Sequence, residues 1–334
     1  MNGVTVAICC YNSSARIAET LRHLSLQRLS ENIPWEVLII DNACTDDTVE
    51  VAHRAWQGVQ PAPLRIVPEK IPGLMQARHC AMRESRYELV SFIDDDNWVA
   101  ADWVERVWQR LQTDPDMAAC GGQNAAATEV AAPYWFDRMA YAYAVGKQAE
   151  SSSYVTPQRG FLWGAGLTIR KSAWYDLFGC GFTSKLSGRK GGQLTAGEDS
   201  ELCLAFMSRG WKLFYDERLQ LTHFIPKNRL TDRYINGLFQ GFGRSETILM
   251  IYRANLDKTF KIKSVWWKNC ISAFRLLLRF LIRSIFSPRI DRFVNRVYAN
   301  YEWALVSQLF RERKAFDRLF QSITEFSGWC GRGK

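Results

Sequence analysis

The chain has 334 residues, 47% of them hydrophobic, which supports a substantial core and excludes global disorder. Its net charge of +9 is uneven: Arg253–Lys334 holds 17 Lys+Arg against 6 Asp+Glu, so this quarter suits an anionic surface, either membrane or nucleic acid. Nine scattered cysteines, with no CxxC pair, exclude a zinc module and read as reduced packing residues of a cytosolic protein.

The start, Met1-Asn2-Gly3-Val4, runs straight into a β-rich apolar stretch, Val4–Cys10, which predicts a first strand and no signal peptide. Tyr11-Asn12-Ser13-Ser14 follows. A helical pattern then spans Ala15 to about Leu29, with Asn12 or Ser13 as its cap. A second strand, Trp35–Ile40, ends at Asp41-Asn42, and Thr45-Asp46-Asp47-Thr48 opens a helix with acids suited to its N-terminal dipole. Leu64–Val67 is a short third strand, and Gly73–Arg78 opens a helix toward Arg86.

Leu89–Ile93 is the fourth strand, and it ends abruptly in Asp94-Asp95-Asp96. Unpaired carboxylates do not continue a buried strand, because desolvating them is costly. They belong at the carboxyl edge of a sheet, where ligands of open α/β folds bind. Clustered oxygens suit a hard cation, Mg²⁺ or Mn²⁺, which commonly brings a phosphate. Three adjacent like charges also raise one another's pKa unless a cation is present.

A helix is expected from after Trp98 to about Thr113, and residues 118–163 look irregular and aromatic-rich. Leu167–Arg170 reads as a strand and 182–197 as a Gly-rich polar loop in which Arg189 and Lys190 form a cationic segment able to close. Glu198-Asp199-Ser200-Glu201-Leu202 begins a helix through about Gly210. Lys212–Tyr215 and Gln220–His223 read as two strands, and the pattern beyond Thr231 is helical. The alternation of strand and helix predicts right-handed βαβ units and a mostly parallel sheet covered on both faces.

Six segments then fall into one order: Val6–Asn12, Asp41–Thr48, Gly73–Arg78, Asp94–Asp96, Gly164-Ala165-Gly166 and Gly197–Leu202. Together they resemble the family 2 glycosyltransferases of GT-A fold, such as those of bacterial cell-surface polysaccharides, over roughly residues 3–225. The resemblance implies an α/β fold with a Rossmann-like nucleotide-binding mixed sheet and a helical C-terminal extension. The expected division is a catalytic domain at 1–230 (donor half 1–117, acceptor half 118–230) and a helical basic region at 231–334.

The resemblance also implies roles. Tyr11 would line a nucleobase pocket, Asp41 would accept a hydrogen bond from the base, and Arg78 would approach the nucleotide. Asp94 and Asp95 would contact the nucleoside or ribose, and Asp96 would hold the metal, with His223 as a further ligand. Asp199 would be the general base for an acceptor hydroxyl, with Glu198 beside it, in a displacement that inverts the anomeric carbon. The metal would serve in place of a general acid. Gly164 and Gly166 would let the backbone approach a donor sugar. The implied donor is a nucleotide-sugar, most commonly UDP-sugar. The implied acceptor is a saccharide or lipid-linked hydroxyl.

Two departures matter. Processive members carry a Gln-x-x-Arg-Trp motif before membrane spans, whereas Gln240–Ser245 has one residue too many and no Trp, and no uncharged run is long enough to span a bilayer. Transfer of a single sugar is the better reading. In Ser264–Phe286, Lys268, Arg275, Arg279 and Arg283 fall within an arc of roughly 80° on a largely apolar helix. That composition suits either an anionic membrane surface, placing the enzyme peripherally at the inner face of the cell membrane, or a helix packed on the domain. No nucleic-acid module is present, and the aromatics do not interleave with the basic residues. A nucleotidyltransferase, or a non-catalytic nucleotide-sugar-binding protein on the same fold, is the alternative; the first lacks the basic Gly-rich loop expected after strand one.

Overall fold

The computed structural model describes residues 1–30, 32–58, 61–186, 196–257, 265–326 and 328–329. Arg189 and Lys190, proposed above as a closing loop, lie outside them. Among the described residues, nine strands form one mixed sheet in the order β3-β2-β1-β4-β8-β6-β9-β5, with β7 also on β9. In chain order the elements are β1 (Val4–Cys10), α1 (Ile17–Ser25), β2 (Trp35–Asp41), α2 (Thr48–Trp56), β3 (Leu64–Pro68), α3 (Leu74–Glu84), β4 (Leu89–Phe92), β5 (Asn97–Val99), α4 (Trp103–Gln112), β6 (Met117–Thr128), α5 (Phe136–Met139), β7 (Ser153–Tyr154), β8 (Thr168–Arg170), α6 (Lys171–Gly179), α7 (Glu198–Ser208), β9 (Lys212–Ile225), α8 (Asp232–Leu256), α9 (Trp266–Phe286), α10 (Arg289–Arg311) and α11 (Phe316–Thr324).

β3, β2, β1 and β4 run parallel, as the βαβ reading requires. Their apolar runs are covered on both sides. Val4, Val6 and Ile8 face α1, α2 and α4, while Ala7, Leu38 and Ile40 face the α3, α6 and α7 side. The second half departs from the parallel expectation: β8 is antiparallel to β4 and β6, and β5 and β7 are antiparallel to β9.

Three elements differ from the sequence reading. β6 crosses what looked irregular. Its Ala and Gly residues carry little strand propensity, but sheet neighbours on both sides supply its backbone partners, and at Gly122 the Leu219 carbonyl comes so close that a side chain would overlap it. β9 is one long strand rather than two. The charged run in its middle does not break it, because Asp216 is buried between Arg110 and Arg218. β5 follows the acidic triplet directly, so the helix begins only at Trp103.

The C-terminal helices share the core of the sheet. Ile251 and Tyr252 of α8, Leu309 of α10 and Phe316 of α11 join the apolar cluster that contains Ile169 of β8 and Phe206 of α7. Cys9, Cys10, Cys44, Cys80, Cys120, Cys180, Cys203 and Cys270 are free thiols, and burial pushes Cys9 and Cys203 up to about 12.

Candidate active site

The site is built on the carboxyl edge of the parallel strands, where α/β sheets bind ligands. Cys10 of β1 and Asp41 of β2 are register partners, so Tyr11 and Asp41 emerge side by side. Tyr11 is 61% exposed, with its ring open to solvent. Asn12 (φ 51°) and Ala43 (φ 58°) turn the chain back in the left-handed region that non-glycine residues rarely adopt. Asn12 Oδ1 accepts from the Thr45 N–H at 2.8 Å, and Asp41 Oδ1 accepts from the Cys44 N–H at 3.0 Å, which ties the two turns together. Asn42 reaches the next loop: its Oδ1 accepts from the Gly73 N–H at 2.8 Å and its Nδ2 donates to the Ile71 carbonyl at 2.7 Å. That loop starts α3, which carries Arg78.

The acidic triplet is a turn, not an extended run. The Asn97 N–H donates to the Asp94 carbonyl at 3.0 Å, and the three carboxylates diverge. Asp94 lines the central cavity; burial first, and then the Asp96 charge, push its carboxyl up to about 6. Asp95 turns toward α1 and pairs with Arg16 Nη2 at 2.5 Å. Asp96 turns the other way. Its Oδ2 lies 2.9 Å from Arg229 Nη1, and its Oδ1 lies 3.5 Å from His223 Nε2. Burial alone would raise the Asp96 pKa, but His223 and Arg229 outweigh it and hold the carboxyl below its ordinary range. Burial likewise opposes the His223 charge, and Asp96 outweighs it, so the imidazole pKa is raised. His223 Nδ1 lies 2.7 Å from the Tyr143 carbonyl, which can only accept. Nδ1 therefore carries a hydrogen, and Nε2 faces Asp96.

Glu198 and Asp199 open α7, where the helix dipole favours acids. Asp199 Oδ1 pairs with Arg78 Nη1, and Arg78 is only 3% exposed. Burial disfavours that guanidinium charge, but the Asp199 and Glu198 carboxylates outweigh it and raise its pKa. At Gly164 a Cβ would overlap the Asp199 carboxylate, so the missing side chain makes room for that carboxylate. Gly166 (φ 78°) likewise lies against Trp103 and Leu221.

These groups surround a cavity of about 600 Å³, lined by Asp94, Glu198, Asp199, His223 and Arg229 and walled by Trp163, Tyr143 and Tyr234. Helices α8, α9 and α10 also line it, through Glu246, Phe280, Tyr298 and Glu302 among others. The structure thus brings Asp94, Glu198, Asp199 and His223 to one cavity, with Arg78 and Asp96 directly behind Asp199 and His223. Tyr11 and Asp41 sit at neighbouring strand ends. Asp95 is diverted to α1. The sequence reading missed Arg16 and Arg229, the two cations on the acidic turn. Each lies 79 or more positions from its partner, and no local pattern marks them.

The family model described as Glycosyl transferase family 2 matches residues 5–178. Among curated proteins, the succinoglycan biosynthesis protein ExoM of Rhizobium meliloti is 28% identical over 121 residues, 35% of this chain and 38% of that protein. A glucosyl-dolichyl phosphate glucuronosyltransferase of Haloferax volcanii is 20% identical over 267 residues, 78% of this chain and 82% of that protein. The match to ExoM thus spans well under half of that relative's length. Among solved structures, S. aureus TarS 1–349 in complex with UDP-GlcNAc superposes with a TM-score of 0.51 at 13% identity, covering 93% of this chain and 92% of that one. That likeness is one of fold, and it includes the helical C-terminal region.

Proposed function

Because this chain belongs to glycosyl transferase family 2, we propose that it moves one sugar from a nucleotide-sugar, with UDP-sugar the first candidate, to a hydroxyl of a saccharide or lipid-linked acceptor. The observation that carries this reading is the cavity itself, in which the carboxylates of Asp94, Glu198 and Asp199 and the imidazole of His223 face one space. TarS has been solved with UDP-GlcNAc, ExoM is named for succinoglycan biosynthesis, and the haloarchaeal relative is named for a dolichyl phosphate-linked sugar. These names favour a UDP-sugar donor and a polysaccharide or lipid-linked product.

In this reading Asp199 takes the proton of the acceptor hydroxyl as that oxygen attacks the anomeric carbon from the face opposite the diphosphate, which inverts the centre. Arg78 pairs with Asp199 and holds it beside Gly164, and Glu198 orients the acceptor. Tyr11 and Asp41 hold the base, and Asp94 and Asp95 the nucleoside side of the donor.

A divalent ion fits the residues present. Asp96 Oδ1 and His223 Nε2 lie 3.5 Å apart and offer one oxygen and one nitrogen donor, and Tyr143 fixes the ring tautomer from behind. Among the described residues no three His, Cys, Asp or Glu side chains gather to hold an ion alone, so diphosphate oxygens and water would complete its shell. Bound there, Mg²⁺ or Mn²⁺ would neutralise the leaving diphosphate. Arg229, now on Asp96, supplies a second positive charge at the same corner.

The membrane reading draws support from α9. Asn269, Ala273 and Leu277 pack inward, while Trp267, Ile271, Phe274, Leu278, Leu281, Ile282 and Ile285 are 43–66% exposed. At about 100° per residue these seven share one face, flanked by the arc of Lys268, Arg275, Arg279 and Arg283. An apolar face with a cationic flank suits an anionic leaflet. No helix among the described residues is long and apolar enough to cross a bilayer.

The test is calorimetry of UDP, GDP and dTDP on the purified protein, with Mn²⁺ and with EDTA, in wild type and Asp96→Ala. One nucleotide should bind in a metal-dependent way and lose that dependence in the variant. Binding of none, under either condition, would end this reading.

A further inference from the structure

The cavity continues past the catalytic carboxylates to a second polar group of residues that no step above uses. Glu302 of α10 and Glu246 and Arg253 of α8 line it, together with Tyr298 and Tyr301. The two helices meet closely there: a Cβ at Gly243 of α8 would overlap the Tyr301 carbonyl of α10, so only glycine admits this seam. Glu302 sits on it and is 6% exposed.

Glu302 Oε2 is buried and has no hydrogen-bond partner among the described residues. The neighbouring cation does not serve it, because Arg253 Nη1 is paired with Glu246 Oε1. Buried polar atoms are satisfied in the great majority of cases, and an orphaned one costs free energy that a packing residue would avoid. A carboxyl left without a protein partner on a cavity wall is therefore matched to a donor that arrives with a ligand. The surroundings limit that ligand. Among the described residues that share this seam with Glu302, Glu246 is the second carboxylate, and it is already neutralised by Arg253, so a divalent cation lacks a donor set there. The flanking surfaces are the rings of Tyr298, Tyr301 and Phe280, which suit a hydroxylated ring with apolar faces rather than a phosphate or a free ion.

We propose that Glu302 anchors the acceptor, accepting a hydrogen bond from a hydroxyl of a sugar unit remote from the one that reacts at Asp199. The inference rests on the glycosyl-transfer reading and narrows its acceptor to a saccharide of at least two units, one at Asp199 and one at Glu302, both of which line the same cavity. It also gives the C-terminal helices a binding task in addition to packing.

The test is saturation-transfer NMR on the full chain with UDP and Mn²⁺ present, using a panel of p-nitrophenyl glycosides of glucose, galactose and N-acetylglucosamine as monosaccharides and as disaccharides. At least one disaccharide should bind wild type. Glu302→Leu should weaken it about tenfold or more, Glu302→Gln should restore binding to within about threefold, and both variants should bind UDP as wild type does. Equal disaccharide affinity in Glu302→Leu and wild type would overturn the proposal, as would UDP binding without binding of any disaccharide. Failure of wild type to bind any of UDP, GDP and dTDP would instead remove the glycosyl-transfer reading beneath it.

Discussion

Gly164 and Asp199 occupy one another's space: the backbone of the first leaves the volume that the carboxylate of the second fills, and a methyl group at 164 would overlap all three carboxylate atoms. Asp199 is also held by Arg78, itself almost fully buried. The carboxylate therefore has little freedom to yield. Gly164→Ala should displace it and lower kcat at least tenfold while nucleotide affinity stays within about twofold. Unchanged kcat in a correctly folded variant would mean that Asp199 does not act from this position.

Asp199→Asn keeps the shape and removes the basicity. A positioned general base contributes typically about 10²- to 10⁴-fold, so kcat should fall within that range with the donor KM little changed. Glu198→Gln should cost less, with its loss appearing in the acceptor KM. If the two variants exchange these signatures, Glu198 is the base. Steady-state kinetics with each substrate varied in turn separates the cases.

The parallel half of this fold was legible because its strands are apolar runs that end in polar punctuation, each followed by an amphipathic helix. The ends of those strands carry Tyr11, Asp41 and Asp94–Asp96, so that part of the site was legible with them. The antiparallel half was not. β6 is made largely of Ala and Gly and owes its conformation to its sheet neighbours, and β9 carries buried charge that imitates a loop. The cations on the acidic turn escaped for a related reason. Arg16 and Arg229 reach Asp95 and Asp96 from α1 and from the segment after β9, and such contacts exist only once the sheet has formed. The shape of the triplet was not legible either: the Asn97-to-Asp94 hydrogen bond folds it into a turn and sends each acid in a different direction.

The exposed apolar face of α9 predicts vesicle binding. The protein should co-sediment with vesicles of phosphatidylglycerol and phosphatidylcholine. Binding should rise with the anionic fraction and fall as salt shortens the Debye length from about 10 Å at 0.1 M. Ile282→Glu together with Ile285→Glu should weaken it about tenfold or more without changing nucleotide affinity, since both side chains are more than half exposed. Replacing Arg275, Arg279 and Arg283 by Gln should remove most of the salt dependence. Equal sedimentation with neutral and anionic vesicles would reject an electrostatic contribution.

Glu302 also predicts how stability depends on pH. Burial first, and the Glu246 carboxylate second, push its carboxyl up to about 7, while Arg253 is engaged by Glu246 and Tyr301 remains neutral in this range. In the unfolded chain the same group titrates near about 4.3. Between those values the folded protein binds the proton more tightly than the unfolded chain does, so this group favours folding most below about 4.3 and loses that contribution as pH rises toward 7. Glu302→Gln is uncharged in both states and should remove this slope. Its Tm advantage over wild type should be small near pH 5 and reach a few degrees at pH 8, where the wild-type carboxylate must be ionised inside the seam. A saccharide that binds there should narrow the difference at pH 8, because its hydroxyl satisfies the wild-type carboxylate. Thermal unfolding at pH 5 and pH 8, with and without the disaccharide, measures both effects, and parallel Tm profiles for the two proteins would show that Glu302 is not strained in the native state.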